Sequence, residues 1–133
     1  MLDSKNNFNN LKIHTQYSIC EGAIKIDELA EYCKKNKIQS VGLSDTYNLS
    51  GALDFSENIS SVGTQPIIGS QIQFKFNKTY GALPLIAKNS KGYQNIIELS
   101  SKAYLENYDS DEPHCSIDDL IKYNEGLILL SGS

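Results

Sequence analysis

Two short strand-like segments, at residues 11–14 and 38–44, each finish on polar residues, and each is followed by a segment with helical spacing. That repeat constrains the fold more than any other feature of the chain. Runs of this length suit strands, whereas Ile26, Leu29, Ala30 and Cys33 recur as one face of a helix. Strands that alternate with helices build parallel sheets or barrels of βα units. In such sheets, pockets form where the strands end. His14, Tyr17, Ser18 and Glu21 follow the first strand, and Asp45 follows the second, so these residues stand where a pocket is expected.

In chain order the elements read β-α-β-α-β-β-α-α-β. Asp27 is expected to cap the first helix, which ends near Asn36, and Val41 and Leu43 are expected to be buried. Leu49, Ala52, Leu53, Ser56 and Ile59 mark a second helix. A third strand starts at 66–69 and continues through Ile72, Phe74 and Phe76. Residues 77–81 form a turn, and 83–87 return as a hairpin partner in which Pro84 favours an edge or irregular position. Asn89 or Ser90 caps a third helix to about Leu105, with Tyr93, Ile96, Ile97, Ser100, Ala103 and Tyr104 as its apolar face. The acidic stretch 106–115 reads as a surface loop with a solvated His114.

Ser116 and Asp119 form a capping box for a short helix that Gly126 closes. Leu127-Ile128-Leu129-Leu130 reads as a parallel strand buried on both faces. A closed barrel of βα units takes roughly 250 residues. The 133 residues therefore read as the N-terminal part of a larger α/β domain: a flexible arm at 1–10, then 11–133 as an incomplete barrel.

Composition narrows the chemistry. A net charge of −4 leaves no basic stripe for tight binding of nucleic-acid phosphates. Three widely spaced cysteines without a CxxC pattern suit reduced thiols. No apolar run is long enough to span a bilayer, so a cytoplasmic protein without membrane contact is expected. His14 reads either as a hydrogen-bonded strand-end histidine or as a metal or acid–base group. Asp45 reads either as a turn-forming carboxylate or as a pocket residue, and Glu21-Gly22 can be simple turn chemistry. A hydrolytic metal centre needs three or more ligands per ion. His14 and Asp45, with Glu21, are too few, and Lys12 on the His14 face of the strand repels a cation.

The stretch Leu11-Lys12-Ile13-His14-Thr15-Gln16-Tyr17-Ser18, with Glu21-Gly22-Ala23, resembles the first motif of PHP (polymerase and histidinol phosphatase) domains. Gly42-Leu43-Ser44-Asp45, Pro66-Ile67-Ile68-Gly69, Leu85-Ile86-Ala87-Lys88-Asn89 and Gly126-Leu127-Ile128-Leu129-Leu130 extend that likeness. In order, these blocks are similar to the N-terminal PHP domain of bacterial DNA polymerase III alpha subunits. The resemblance implies a distorted TIM-like barrel with a hairpin insertion. It also implies a vestigial metal pocket at Lys12, His14, Glu21, Asp45 and Gln71.

Metal-binding relatives carry His-x-His where this chain has Lys12-Ile13-His14, Asp-His where it has Asp45-Thr46, and Glu where it has Gln71. Ala82 and Ser133 stand where a histidine and a cysteine are expected. By resemblance there is no catalytic residue here and no metal; if one bound, His14 and Asp45 would hold it. The implied parent is a DNA-directed DNA polymerase whose Mg²⁺ is held elsewhere. Its partners would be the remainder of the alpha subunit, a proofreading exonuclease subunit, and DNA contacted mainly by other domains. A metal-dependent phosphoesterase or 3′-5′ exonuclease acting at the PHP pocket is the alternative.

Overall fold

The computed structural model describes residues 8–107 and 112–131. Its first strand is reduced to a short ladder. Ile13 bridges Leu43 in parallel; the Ile13 amide donates to the Gly42 carbonyl (3.0 Å), and the Ser44 amide donates to that of Ile13 (2.8 Å). The Gly42 amide donates to Asn10 O (2.7 Å), so the ladder reaches into the expected N-terminal arm, of which residues 1–7 lie outside the described part.

Next come α1 (Ile26–Asn36), β1 (Ser40–Gly42), β2 (Asp45–Thr46) and α2 (Ala52–Ser61). β3 (Gln65–Ile67) runs parallel to β1, and β4 (Gly69–Phe76) runs parallel to β2. β5 (Thr79–Ala87) forms the antiparallel hairpin with β4, turning at Asn77 in the left-handed region (φ 56°). After α3 (Ser90–Leu105) come β6 (Cys115–Ser116), parallel to β4, then α4 (Ile117–Lys122) and β7 (Leu127–Leu129), antiparallel to β5.

Gly69 is the pivot where one extended run changes partners. A Cβ there would stand 2.5 Å from Leu85 O and 2.9 Å from Leu43 O, so only glycine lets the chain pass between its neighbours. The apolar core divides at this point. One cluster joins Ile13, Ile26, Leu43, Phe55 and Ile59 under α1 and α2. The other joins Ile72, Phe74, Leu85, Ile96 and Leu99 under α3. Each fully buried side chain of this size stabilises the fold by roughly 1.5–3 kcal/mol.

Several expectations need correction. α1 starts two residues earlier than expected: Lys25, not Asp27, is its N-cap, with no side-chain hydrogen bond, and Ile26 is buried in the core. On α2, Leu53 is exposed and Phe55 takes the buried place. α3 is rotated from the expected face. Gly92, Asn95, Ile96, Leu99 and Ala103 are inside, whereas Tyr93, Ile97 and Tyr104 meet solvent. Pro84 is buried in the middle of β5, yet it sits where the β5–β7 ladder ends and only its carbonyl is used, accepting from the Leu130 amide (3.0 Å). β7 is an edge strand with Ile128 and Leu129 over two-fifths exposed, not a strand covered on both faces.

His114 is buried, not solvated. It meets the Tyr80 ring edge-on at 5.1 Å between centroids, and its Nδ1 lies 3.1 Å from Glu112 O.

The Asn89 cap, accepting from the Gly92 amide (3.0 Å), and the Ser116–Asp119 capping box form as expected. Behind β6, burial pushes the Cys115 thiol up to about 12, and its Sγ donates to Leu99 O (3.0 Å). Burial also raises Cys33, whereas Cys20 is exposed. A disulfide exchange reagent at pH 8 is therefore expected to modify one thiol of the native protein rapidly, at Cys20, and the other two only in denaturant. Fast labelling of Cys115 without denaturant would show that the seam between α3 and β6 opens.

Candidate functional site

The site forms where the first strand and β2 finish side by side. Strand pairing puts Ile13 beside Leu43 and Thr46 beside Gln71, so His14, Ser44, Thr46 and Gln71 form a row across neighbouring strands. Lys12 shares the His14 face by alternation, and among the described residues its ammonium makes no ion pair.

Asp45 is fully buried, and both its oxygens are occupied. Oδ1 accepts from the Thr15 amide (2.6 Å) and the Ser18 hydroxyl (2.7 Å), and Oδ2 accepts from the Thr15 hydroxyl (2.7 Å). These bonds fold residues 15–22 back against the strand ends. Ser18 Oγ also accepts from the Thr46 amide (3.1 Å). Thr46 in turn donates its hydroxyl to Glu21 Oε2 (2.5 Å).

His14 Nδ1 lies 3.3 Å from the Thr46 hydroxyl, 3.4 Å from that of Ser18 and 3.8 Å from Glu21 Oε2. Both hydroxyl protons are already spent on carboxylates. The network therefore favours a hydrogen on Nδ1, aimed at those hydroxyl oxygens.

Farther out, Tyr47 has a left-handed backbone (φ 64°), and its hydroxyl donates to Gln73 Oε1 (3.0 Å). Gln73 passes the chain on to Glu112. Burial, followed by the nearby Glu112 and Glu21 charges, raises the Tyr47 phenol and keeps it neutral. Sequence reasoning missed Thr15, Tyr47, Gln73 and Glu112 in this role. Thr15 had a faint signal, a hydroxyl next to a strand-end histidine. The others are joined across tens of residues and carried none.

These side chains do not suit a divalent cation. Asp45 turns both lone-pair faces into the protein, Lys12 brings positive charge to the strand face, and Thr46 and Gln71 offer only neutral oxygens there. Among the described residues, no group of three or more His, Cys, Asp or Glu side chains is placed to hold a metal. Ala82 pairs with Gln73 in the hairpin, and Ser133 lies outside the described residues.

Within that row Ser44 Oγ is buried without a hydrogen-bond partner. Ser44→Ala is therefore expected to leave stability unchanged or raise it by up to about 1 kcal/mol, because an unpaired buried hydroxyl carries a desolvation cost. A urea midpoint that falls clearly would show that this hydroxyl is paired in solution.

A partly wound α/β barrel with its polar cluster at the strand ends is the architecture of a known domain class. The family model of the PHP domain matches residues 10–133, and the chain belongs to that family. Its curated relatives are more particular. It is 37% identical over 134 residues to the DNA polymerase III subunit alpha of Haemophilus influenzae, covering 98% of this chain and 12% of that one. It is 38% identical to the Caulobacter vibrioides protein of the same name, over 94% of this chain and again 12% of the relative. The chain thus spans about an eighth of the curated relatives it matches.

Two solved structures share the fold. A protein from Bifidobacterium adolescentis described as a metal-dependent phosphoesterase superposes with a TM-score of 0.53 at 18% identity, over 89% of this chain and 44% of that one. An amidohydrolase from Chromobacterium violaceum, solved with sulfate and no metal, gives 0.54 at 12% identity, over 86% and 43%.

Proposed function

We propose that the chain is the PHP portion of a cytoplasmic replicative DNA polymerase, a DNA polymerase III alpha subunit, and that this portion is a non-catalytic scaffold. The parent would be a nucleotidyltransferase whose Mg²⁺ ions lie in another domain. Here the PHP fold would stabilise that larger chain and dock the proofreading exonuclease subunit. The observation that carries this reading is the commitment of both Asp45 oxygens to Thr15 and Ser18. A fully buried carboxylate with hydrogen bonds on both oxygens braces the fold and is poorly placed to ligate a metal. His14, Glu21 and Thr46 complete a hydrogen-bonded brace where a hydrolase would need open ligands.

The test has two arms. Elemental analysis of the purified protein after equilibration with zinc or manganese is expected to find well under one equivalent. Immobilised protein is expected to retain the exonuclease subunit. Stoichiometric metal together with chelator-sensitive phosphodiester hydrolysis would instead favour the phosphoesterase or exonuclease alternative. Failure to retain the subunit would remove the docking role and leave the brace intact.

A further inference from the structure

Charge is unevenly divided between the two ends of the sheet. At the end opposite His14 and Asp45, β1, β3 and β7 start, and β5, antiparallel to β7, finishes. The Gln65 amide donates to Gln39 O (2.8 Å), the Ala87 amide to Ile68 O (2.9 Å) and the Lys88 amide to Gly126 O (2.8 Å). Residues 34–39, 61–64, 88–91 and 122–126 therefore lie side by side along this end. They hold six lysines, Lys34, Lys35, Lys37, Lys88, Lys91 and Lys122, against one carboxylate, Glu125. All six are exposed, and among the described residues none forms an ion pair. At the other end, Asp27, Glu28, Asp54, Asp118 and Asp119 stand in the first turns of α1, α2 and α4. The net charge of −4 is thus a sum over two unlike ends.

Helix dipoles explain only part of this division. A cation is favoured at a helix C-terminus, which suits Lys34, Lys35 and Lys122 in the last turns of α1 and α4. α3 runs the other way, because β5 does, so Lys88 and Lys91 sit at its start, where a cation is disfavoured. The basic row continues across α3 against that helix's own preference. Four neighbouring strands about 4.8 Å apart spread the row over roughly 15 Å. One strand of a nucleic-acid duplex presents about four phosphates over that length. The exposed amides of Gln39 and Gln65 stand between Lys37 and Lys88 and suit phosphate oxygens. Among the described residues, no exposed large apolar side chain falls in the four segments, so a protein partner would find no anchor there.

We propose that this end of the sheet rests on the sugar-phosphate backbone of a nucleic acid, bound loosely and without regard to sequence. The ammonium groups replace condensed counterions and read no base. The inference does not rest on the scaffold reading above, since it uses no residue of the strand-end cluster.

The probe is a fluorescent DNA duplex of arbitrary sequence, titrated with the protein and followed by anisotropy. Binding at 50 mM salt is expected to weaken about 100-fold by 200 mM, the loss for about four phosphate contacts. Lys88→Glu combined with Lys91→Glu is expected to weaken it about tenfold or more at the lower salt. Glutamate suits a helix start, and unchanged thermal melting confirms that this variant folds. Lys75→Glu combined with Lys78→Glu, on the exposed hairpin at the other end, makes the same change in net charge and is expected to alter affinity less than about threefold. No binding at the lower salt, or equal losses from the two pairs, would overturn the proposal. So would equally effective competition by polyglutamate, which would point to an acidic protein instead.

Discussion

Asp45→Ala is expected to cost about 3–5 kcal/mol of folding stability. The carboxylate is fully buried, and its removal strands three donors: the Thr15 amide, the Thr15 hydroxyl and the Ser18 hydroxyl. The hydroxyls can rotate toward other acceptors, but the amide cannot. Asp45→Asn separates charge from shape. It keeps an oxygen for the Thr15 amide and Ser18, and the Thr15 hydroxyl must then accept where it now donates. A smaller loss, about 1–3 kcal/mol, is expected. Urea denaturation followed by circular dichroism reads both variants. Near-native stability of Asp45→Ala would mean that the turn at 15–22 is not held by this carboxylate.

The second large effect lies in the other half of the core. Gly92 sits in the first turn of α3 against the turn before β7, and a Cβ there would be driven into the Gly126 carbonyl. That carbonyl is not free to retreat, since it accepts from the Lys88 amide (2.8 Å), while Asn95 Nδ2 donates to the neighbouring Glu125 carbonyl (2.8 Å). Alanine offers up to about 1 kcal/mol of helix propensity over glycine. The clash costs about 3 kcal/mol and wins. Gly92→Ala is thus expected to destabilise by about 2 kcal/mol net, with hydrogen exchange accelerated first at the amides of β7. Unchanged protection there would show that the turn at Gly126 yields.

What could be read in the chain beforehand was local. The Asn89 cap and the Ser116–Asp119 box each depend on residues a few positions apart, and each forms, whereas the expected 77–81 turn is tighter, since residues 79–81 already pair with β4. The face of α3 was misread because residue type alone favours burying Tyr93 and Tyr104. Both rings carry a hydroxyl that water serves well, whereas Asn95 is drawn inside by the Glu125 carbonyl. The direction of β7 was misread because a run of apolar residues looks alike in a parallel and in an antiparallel pairing, and here it runs antiparallel to β5.

At the site, the strand-end placing of His14 and Asp45 was legible from the βα repeat. The use of Asp45 was not. Its partners stand 30 and 27 residues back in the chain, and only the fold brings them within reach.

The break in the core at Gly69 bears on how the molecule comes into being. The apolar members of the first cluster all fall between Ile13 and Ile68, and the bonds of the Asp45 carboxylate lie inside the same interval. A ribosome that had delivered only this much would already have released a closed unit, on which the hairpin and α3 could later be laid down. Nascent chains stalled beyond that point should accordingly resist protease between Ile13 and Ile68, and digestion throughout that interval would argue for assembly in a single late step.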